Sequence, residues 1–333
     1  MRAMTLQRVA PVEERPLALR ERAVPEPARG QVLVRVEACG VCRTDLHVVE
    51  GDLAPRRPEV VPGHEIVGRV AGRGEGVGAP AEGARVGVAW LHRACGRCRY
   101  CGRGEENLCL DPVFTGWDVD GGYAEYVVAD AAFVYPLPEA LDAVSLAPLL
   151  CAGIIGYRSF VRSLVRPGER LGLFGFGGSA HIVIQVARHR GCRVFVFSRG
   201  GEHRAHAEEL GAEWVGDTFE RPPEPLDAAI LFAPAGEIVP AALATLDRGA
   251  MLAIAGIHLS RIPPLDYARH LFEERGLQSV TANTRDDGRA LLRLAAEIPI
   301  RTGTRTYPLE AANDALADLK HDRLRGAAVL VPG

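Results

Sequence analysis

Along the first 150 residues, apolar and polar positions alternate in short stretches. In "GQVLVRVEACG", Val32, Val34 and Val36 fall on one face of a strand. "GRVAGRGEGVGAP", "GARVGVAW" and "GGYAEYVVAD" repeat that texture between glycines, which predicts a β-rich domain of short strands and Gly/Pro turns. From about residue 153 the pattern changes to strand alternating with helix. "RLGLFGFGG" is a buried strand entering a glycine turn, "SAHIVIQVARHRG" continues with helical spacing, and "RVFVFS" is the next strand. "EHRAHAEELG", "EIVPAALATLDRG" and "LDYARHLFEERG" read as helices, and "EWVG", "DAAILFAPA", "AMLAIAG" and "LQSVTA" as strands. Six apolar runs separated by helices predict a doubly wound parallel α/β sheet. The expected division is residues 1–152 and 284–333 for the β-rich domain and 153–283 for the α/β domain. After about 284 the pattern predicts a helix at "LEAANDALADLKHD" and a terminal strand at "GAAVLVPG", folding back onto the first domain.

Composition narrows the class. The 333 residues are 47% hydrophobic and 24% charged with a formal net charge of −3, an ordinary balance that gives no electrostatic reason to expect nucleic acid or an anionic membrane. No apolar run approaches the roughly 20 residues that span a bilayer. The N-terminal "MRAMTLQRVAPVEERP" has no signal-peptide core, so the expected location is the cytoplasm. Lys320 is the only lysine, and arginine carries the remaining basic charge.

In a cytosolic chain, clustered cysteines point to metal before disulfides. "CGRCRYCGRGEENLC" sets Cys95, Cys98, Cys101 and Cys109 in a C-x2-C-x2-C-x7-C pattern. Two-residue gaps let thiolates converge on one ion, and four thiolates with no open position describe a closed structural zinc site in a lobe near 93–112. Iron–sulfur proteins share such spacing, but no second set of cluster ligands accompanies it. A separate set of donors is dispersed: Cys42 in "GVCRTDLH", His64 before Glu65 in "VPGHEIVG", and Cys151 in "PLLCAGIIGYRSF". Two cysteines and a histidine form the ligand set of a catalytic zinc with an open fourth position.

"GFGGSA" sets Gly175, Gly177 and Ala180 in the G-x-G-x-x-G/A pattern between a strand and a helix. Gly175 permits the turn, Gly177 lets backbone approach a pyrophosphate, and Ala180 keeps helix and strand close. The second strand ends at Ser198 and Arg199, where an acid would read the adenosine ribose of NAD. A small hydroxyl and a guanidinium, with His203 and Arg204 following, instead suit the 2′-phosphate of NADP. NADP(H) is therefore the expected cofactor in preference to NAD(H).

Taken in order, "GVCRTDLH", "GHEIVG", "CGRCRYCGRGEENLC", "LLCAG" and "GFGGSA" resemble the zinc-dependent alcohol dehydrogenase family of the medium-chain dehydrogenase/reductase superfamily, over essentially the whole chain. The resemblance implies a β-rich GroES-like catalytic domain joined to a Rossmann domain, with two zinc ions per chain. It implies that Cys42, His64 and Cys151 hold the catalytic zinc, with Glu65 nearby and Asp45 orienting His64. It further implies reversible hydride transfer between a primary or secondary alcohol and the nicotinamide. Thr44 accepts the hydroxyl proton, and His47 passes it to solvent by way of the nicotinamide ribose. Arg43 and, secondarily, Arg325 would meet the cofactor phosphates, while Trp90 and Trp117 would wall the substrate pocket. Relatives acting on polyols tend to carry a carboxylate where Cys151 stands, so the thiolate favours simple alcohols. A homodimer or homotetramer is the family's assembly. Two alternatives are a quinone or enoyl reductase of the same superfamily, whose members lack the catalytic zinc ligands, and a non-catalytic zinc-stabilised nucleotide sensor.

Overall fold

The computed structural model describes residues 1–333. Two units divide the chain: unit 1 is Met1–Ala152 with Ala282–Gly333, and unit 2 is Gly153–Thr281. Unit 1 opens with a ribbon of β1 (Arg2–Leu6) against β2 (Leu17–Glu21). In β3 (Gln31–Val41), Val32, Val34 and Val36 are buried because alternate strand residues share a face. α1 (Arg43–Glu50) leaves the end of β3, and β4 (Glu65–Arg73) returns antiparallel to it, followed by β5 (Arg85–Val88). β6 (Leu91–Arg93) and β7 (Val113–Phe114) pair on either side of the cysteine-rich lobe. β8 (Tyr126–Asp130) joins β3, and β9 (Tyr135–Pro136) joins β5. α2 (Ala143–Leu146) and a buried 3-10 turn at Ala147–Leu150 then deliver Cys151.

Unit 2 follows as α3 (Ala152–Arg162), β10 (Arg170–Phe174), α4 (Gly178–His189), β11 (Arg193–Phe197), α5 (Gly201–Glu209) and β12 (Trp214–Gly216). It continues through β13 (Leu226–Leu231), α6 (Ile238–Thr245), β14 (Leu246–Ile254), α7 (Tyr267–His270) and β15 (Gly276–Ser279). The six strands lie in the order β12-β11-β10-β13-β14-β15, every pair parallel. This is the Rossmann arrangement, and the strand order reverses between β10 and β13. Leu171, Leu173, Phe174 and Val194 to Phe197 are all buried, as continuous apolar strands of a sheet covered on both faces must be. At the opposite ends of the strands, Arg170 meets Asp227 at 2.8 Å and Arg193 meets Glu224 at 2.6 Å, so the first residues of β10 and β11 are held by charge.

The chain then re-enters unit 1 through α8 (Arg285–Glu297), β16 (Thr304–Pro308), α9 (Ala312–Lys320) and β17 (Ala327–Val331). β17 pairs antiparallel with β3 and parallel with β16, completing a sheet in the order β16-β17-β3-β4-β5-β9. Three local expectations need correction. α8 is a helix that the apolar pattern missed, because its first turn, "RDDGR", is polar and carries a glycine. Its start is nonetheless marked: Thr284 and Asp287 form a reciprocal capping box. The "LDRG" expected to end α6 belongs to β14, where a register shift separates the Leu226–Leu246 pair from Ala228–Met251. In "LDYARHLFEERG" only Tyr267–His270 is helical, since Glu274 at φ 59° turns the chain and Arg275 Nε donates to Leu246 O at 2.9 Å.

Candidate active site

The antiparallel pairing of β3 with β4 brings two distant segments together. Cys42 follows the last residue of β3 and caps α1, and His64 precedes the first residue of β4. Gly40 stands opposite Glu65 in the register, and a Cβ on Gly40 would fall 1.8 Å from Glu65 Oε2. Only glycine leaves room for that carboxylate. The 3-10 turn then places Cys151 against the same strands. The ligand atoms of Cys42, His64, Glu65 and Cys151 all lie within 4.8 Å of one another. Cys42 Sγ and Cys151 Sγ are 3.7 Å apart, and two thiolates on a tetrahedral zinc with bonds of about 2.3 Å would be about 3.8 Å apart.

Asp45 organises this cluster from behind. Its carboxylate accepts from His64 Nδ1 (2.8 Å), Cys42 N (2.9 Å), Tyr123 Oη (3.1 Å) and Gly63 N (3.2 Å). The first of these bonds fixes the tautomer of His64 and leaves Nε2 as its free donor atom. That nitrogen is buried with no hydrogen-bond partner, a costly arrangement that a metal ion relieves. Burial disfavours the imidazolium of His64, but Asp45 and Cys42 more than offset it and hold the ring well above its usual range. The hydrogen bond from Cys151, together with His64, holds the Cys42 thiol well below its range despite burial. Burial pushes the Glu65 carboxyl up. Such a cluster retains protons that a divalent cation displaces, and the donor set fits zinc.

Thr44 is buried, with Oγ1 3.7 Å from Cys42 Sγ. His47, on the same helix, places Nδ1 2.8 Å from Asp52 Oδ2. Trp90 meets the His64 ring edge-on at 5.0 Å and stacks on Phe114 (4.9 Å) and Trp117 (5.9 Å). Arg56 covers Trp117 at 3.7 Å, and Trp117 Nε1 donates to Ala54 O, so the outer ring is pinned. Sequence reasoning missed Tyr123, Gly63, Gly40, Phe114 and Asp52, whose positions relative to the cluster carry no local spacing signal. Cys39 is buried outside the cluster, and Cys192 packs in unit 2 with Sγ against Arg166 O.

In the cysteine-rich lobe, the thiols of Cys95, Cys98, Cys101 and Cys109 also converge within 4.8 Å. Cys98 and Cys101 are 3.6 Å apart, and Cys95 N and Asp111 N donate to Cys109 Sγ. Backbone N–H groups of Cys101 and Leu110 hold the Cys98 thiol down to about 6, whereas burial and Cys98 itself push Cys101 up to about 12. Between the ligands, buried Glu106 accepts from Arg285 N (3.0 Å) and Nε (2.9 Å), which anchors the lobe to the start of α8. Cys101→Ser is expected to cost one zinc per chain and about 3 kcal/mol or more, a fall of roughly 10 °C in the melting temperature. Calorimetry with metal analysis reads both, and an unchanged melt at full zinc content would show that these thiols hold nothing.

In unit 2, Gly175 adopts φ 89°, and a Cβ there would meet Ala233 N at 2.9 Å. Gly177 caps α4 with open space where a Cβ would stand, and Ala180 is fully buried. Uncapped N–H groups at a helix start beside an open turn make a phosphate cradle. Ser198 is buried at the end of β11, Arg199 beside it is exposed, and His203 is exposed on α5. Arg204 donates to Ser198 O at 3.0 Å and lies 3.5 Å from Asp217. Arg43 and Arg325 belong to unit 1; Arg43 is paired with Asp322 and Arg325 is exposed just before β17.

A β-rich unit holding two thiol-rich clusters whose donor atoms could each converge on a metal ion, with a Rossmann unit carrying a glycine cradle, is the pattern of a zinc-binding dehydrogenase. Two family models match the chain, the alcohol dehydrogenase GroES-like domain over residues 28–139 and the zinc-binding dehydrogenase over residues 178–297. A Mycobacterium tuberculosis protein named "Probable alcohol dehydrogenase AdhA" is 54% identical over 336 residues, covering 99% of this chain and 97% of that protein. An alcohol dehydrogenase of Geobacillus stearothermophilus is 35% identical, covering 94% of this chain and 95% of its own. Among solved structures, the cobalt- and zinc-bound thermostable alcohol dehydrogenase of Pyrobaculum aerophilum is 27% identical with a TM-score of 0.90, covering 100% of this chain and 99% of that one. The chain belongs to the zinc-dependent alcohol dehydrogenase family of the medium-chain dehydrogenase/reductase superfamily.

Proposed function

We propose that this chain is a cytoplasmic, homodimeric or homotetrameric zinc-dependent alcohol dehydrogenase that exchanges hydride between simple primary or secondary alcohols and NADP(H), with two zinc ions per chain. The observation that carries the reading is the Cys42–His64–Cys151 cluster, half-buried at its thiols and fully buried at His64, whose Nε2 is left without a partner while Asp45 holds Nδ1. Cys42, His64 and Cys151 hold the catalytic ion with Glu65 alongside, and Cys95, Cys98, Cys101 and Cys109 hold the structural one. Bound zinc supplies Lewis acidity that lowers the pKa of the alcohol hydroxyl. Thr44 Oγ1 would take the hydroxyl proton while releasing its own into the relay, and His47, steadied at Nδ1 by Asp52, would receive a proton from that relay at Nε2 and give it up to solvent. Trp90, Phe114 and Trp117 present a half-buried apolar wall beside His64 that excludes water and favours apolar substituents.

For the cofactor, Gly175, Gly177 and Ala180 shape the pyrophosphate turn, and Arg43 and Arg325 are the basic residues that the family resemblance offers to its phosphates. Buried Ser198 and exposed Arg199, with Arg204 fixed behind them, support a preference for the phosphorylated dinucleotide. Arg199→Asp is expected to weaken NADPH binding about tenfold or more, the worth of a charge-assisted hydrogen bond, and to leave NADH within about threefold. Fluorescence titration with each cofactor measures the ratio, and equal losses for both would remove the NADP assignment. Metal analysis of the wild type is expected to return two zinc per chain, and a single zinc that Cys101→Ser abolishes would remove the catalytic site.

A further inference from the structure

The outermost ring of the aromatic wall is held from outside the wall. Trp90 meets the His64 ring, and Trp117 lies one ring farther out, half-buried. An indole with one side toward solvent keeps a single orientation only if partners beyond the core fix it. Those partners come from residues 52–58, which link α1 to β4 within unit 1. Ala54 O accepts from Trp117 Nε1 at 3.0 Å, and the Arg56 guanidinium lies over the indole at 3.7 Å.

Arg56 is fixed in its turn. Its Nη1 donates to Asp118 Oδ1 at 2.8 Å, and the other oxygen, Oδ2, accepts from Phe114 N at 2.8 Å. One carboxylate, with only 15% of its side chain exposed, therefore ties the backbone of one wall residue to the cation that covers another. A second clasp runs beside it, from Arg57 to Asp120 at 3.3 Å, and Asp120 Oδ1 also accepts from Val61 N at 3.0 Å. A guanidinium suits this post because its flat face stacks on an indole while its edge N–H groups reach a carboxylate.

We infer that Arg56 is a positioning residue for the substrate: it fixes the tilt of Trp117 and thereby sets how well the site takes alcohols long enough to reach that ring. A two-carbon alcohol beside His64 ends at Trp90, whereas an aryl alcohol extends to Trp117. This inference rests on the reading of the chain as an alcohol dehydrogenase with its substrate beside His64.

Steady-state kinetics of the zinc-loaded protein on ethanol and benzyl alcohol tests the idea. Arg56→Met keeps the alkyl stem and removes the charge and the fork of donors. It is expected to raise KM for benzyl alcohol about fivefold, the worth of one cation–π contact, while kcat and the KM for ethanol stay within about twofold. Acrylamide quenching of tryptophan fluorescence is expected to rise in the same variant without any substrate present, because the indole is uncovered. Arg56→Lys, which keeps a cation over the ring, is expected to recover part of the KM. Asp118→Asn, which still accepts from Phe114 N but offers Arg56 no charge, is expected to reproduce part of the loss. Arg56→Met added to Trp117→Leu is expected to give no further rise. An unchanged or lower KM for benzyl alcohol in Arg56→Met, beside a wild type that oxidises both alcohols, would overturn the positioning role and leave the enzyme reading intact. An equal rise for both alcohols, or a full rise in the Trp117→Leu background, would overturn it as well. A wild type that oxidises neither alcohol with NADP or NAD would remove the reading and the inference with it.

Discussion

Cys42→Ser is expected to leave one zinc per chain instead of two and to lower kcat/KM for alcohol oxidation by about a thousandfold, roughly 4 kcal/mol of transition-state stabilisation. The size follows from the geometry. Cys42 Sγ lies 3.7 Å from Cys151 Sγ, in a half-buried pair of thiols that converges with His64 within 4.8 Å. A serine hydroxyl is a harder, weaker ligand and does not ionise as the thiol does. The fold should survive the change, because Cys42 also caps α1 by accepting from Thr44 N, a role that serine fills well. Circular dichroism and the zinc of the cysteine-rich lobe are therefore internal controls. A variant with full activity and two zinc ions would show that the cluster is not the catalytic centre.

Asp45→Asn is expected to weaken zinc retention and kcat/KM by about ten- to a hundredfold, although Asp45 is not itself in the donor cluster. The buried carboxylate accepts four hydrogen bonds, from His64, Cys42, Tyr123 and Gly63. An amide offers one oxygen and turns an NH2 group toward the remaining donors, so at least one N–H or O–H is left facing another donor. Each buried group deprived of its partner costs about 1–3 kcal/mol. His64 also loses the bond that commits Nε2 to the cluster. Competition with a chromophoric chelator measures the zinc affinity. Wild-type affinity in Asp45→Asn would mean that His64 needs no orienting group. Tyr123→Phe removes one donor and keeps the carboxylate, and a change of about tenfold or less is expected there.

Legibility along the chain tracked how local each signal was. Cys95, Cys98, Cys101 and Cys109 announce themselves because a ligand set packed into fifteen residues converges with little help from the rest of the fold. Gly175, Gly177 and Ala180 are equally plain, since the strand, turn and helix that give them meaning are contiguous. The Cys42, His64 and Cys151 set is different. Its members are separated by up to 109 positions, so donor type could suggest the set and a family resemblance support it, but the β3–β4 register and the 3-10 turn before Cys151 are what bring them together. α8 shows a signal present but unread: its capping box was in the sequence while its apolar positions, among them Leu291 and Leu292, began late.

The sequence by itself determined which residues can hold metal and cradle a phosphate, because donor type and short-range spacing are chemical facts of the chain. It also determined the two textures, alternating strands and then strand–helix units, since hydrophobic period follows from backbone geometry. Tertiary structure alone decided who stands behind those residues. Asp45 gathers Tyr123 and Gly63, Gly40 makes room for Glu65, Phe114 completes the aromatic wall, and Asp322 finds Arg43 across 279 positions. Those partnerships depend on register and packing between segments far apart in the chain, and such long-range juxtapositions leave no periodicity for a sequence to show.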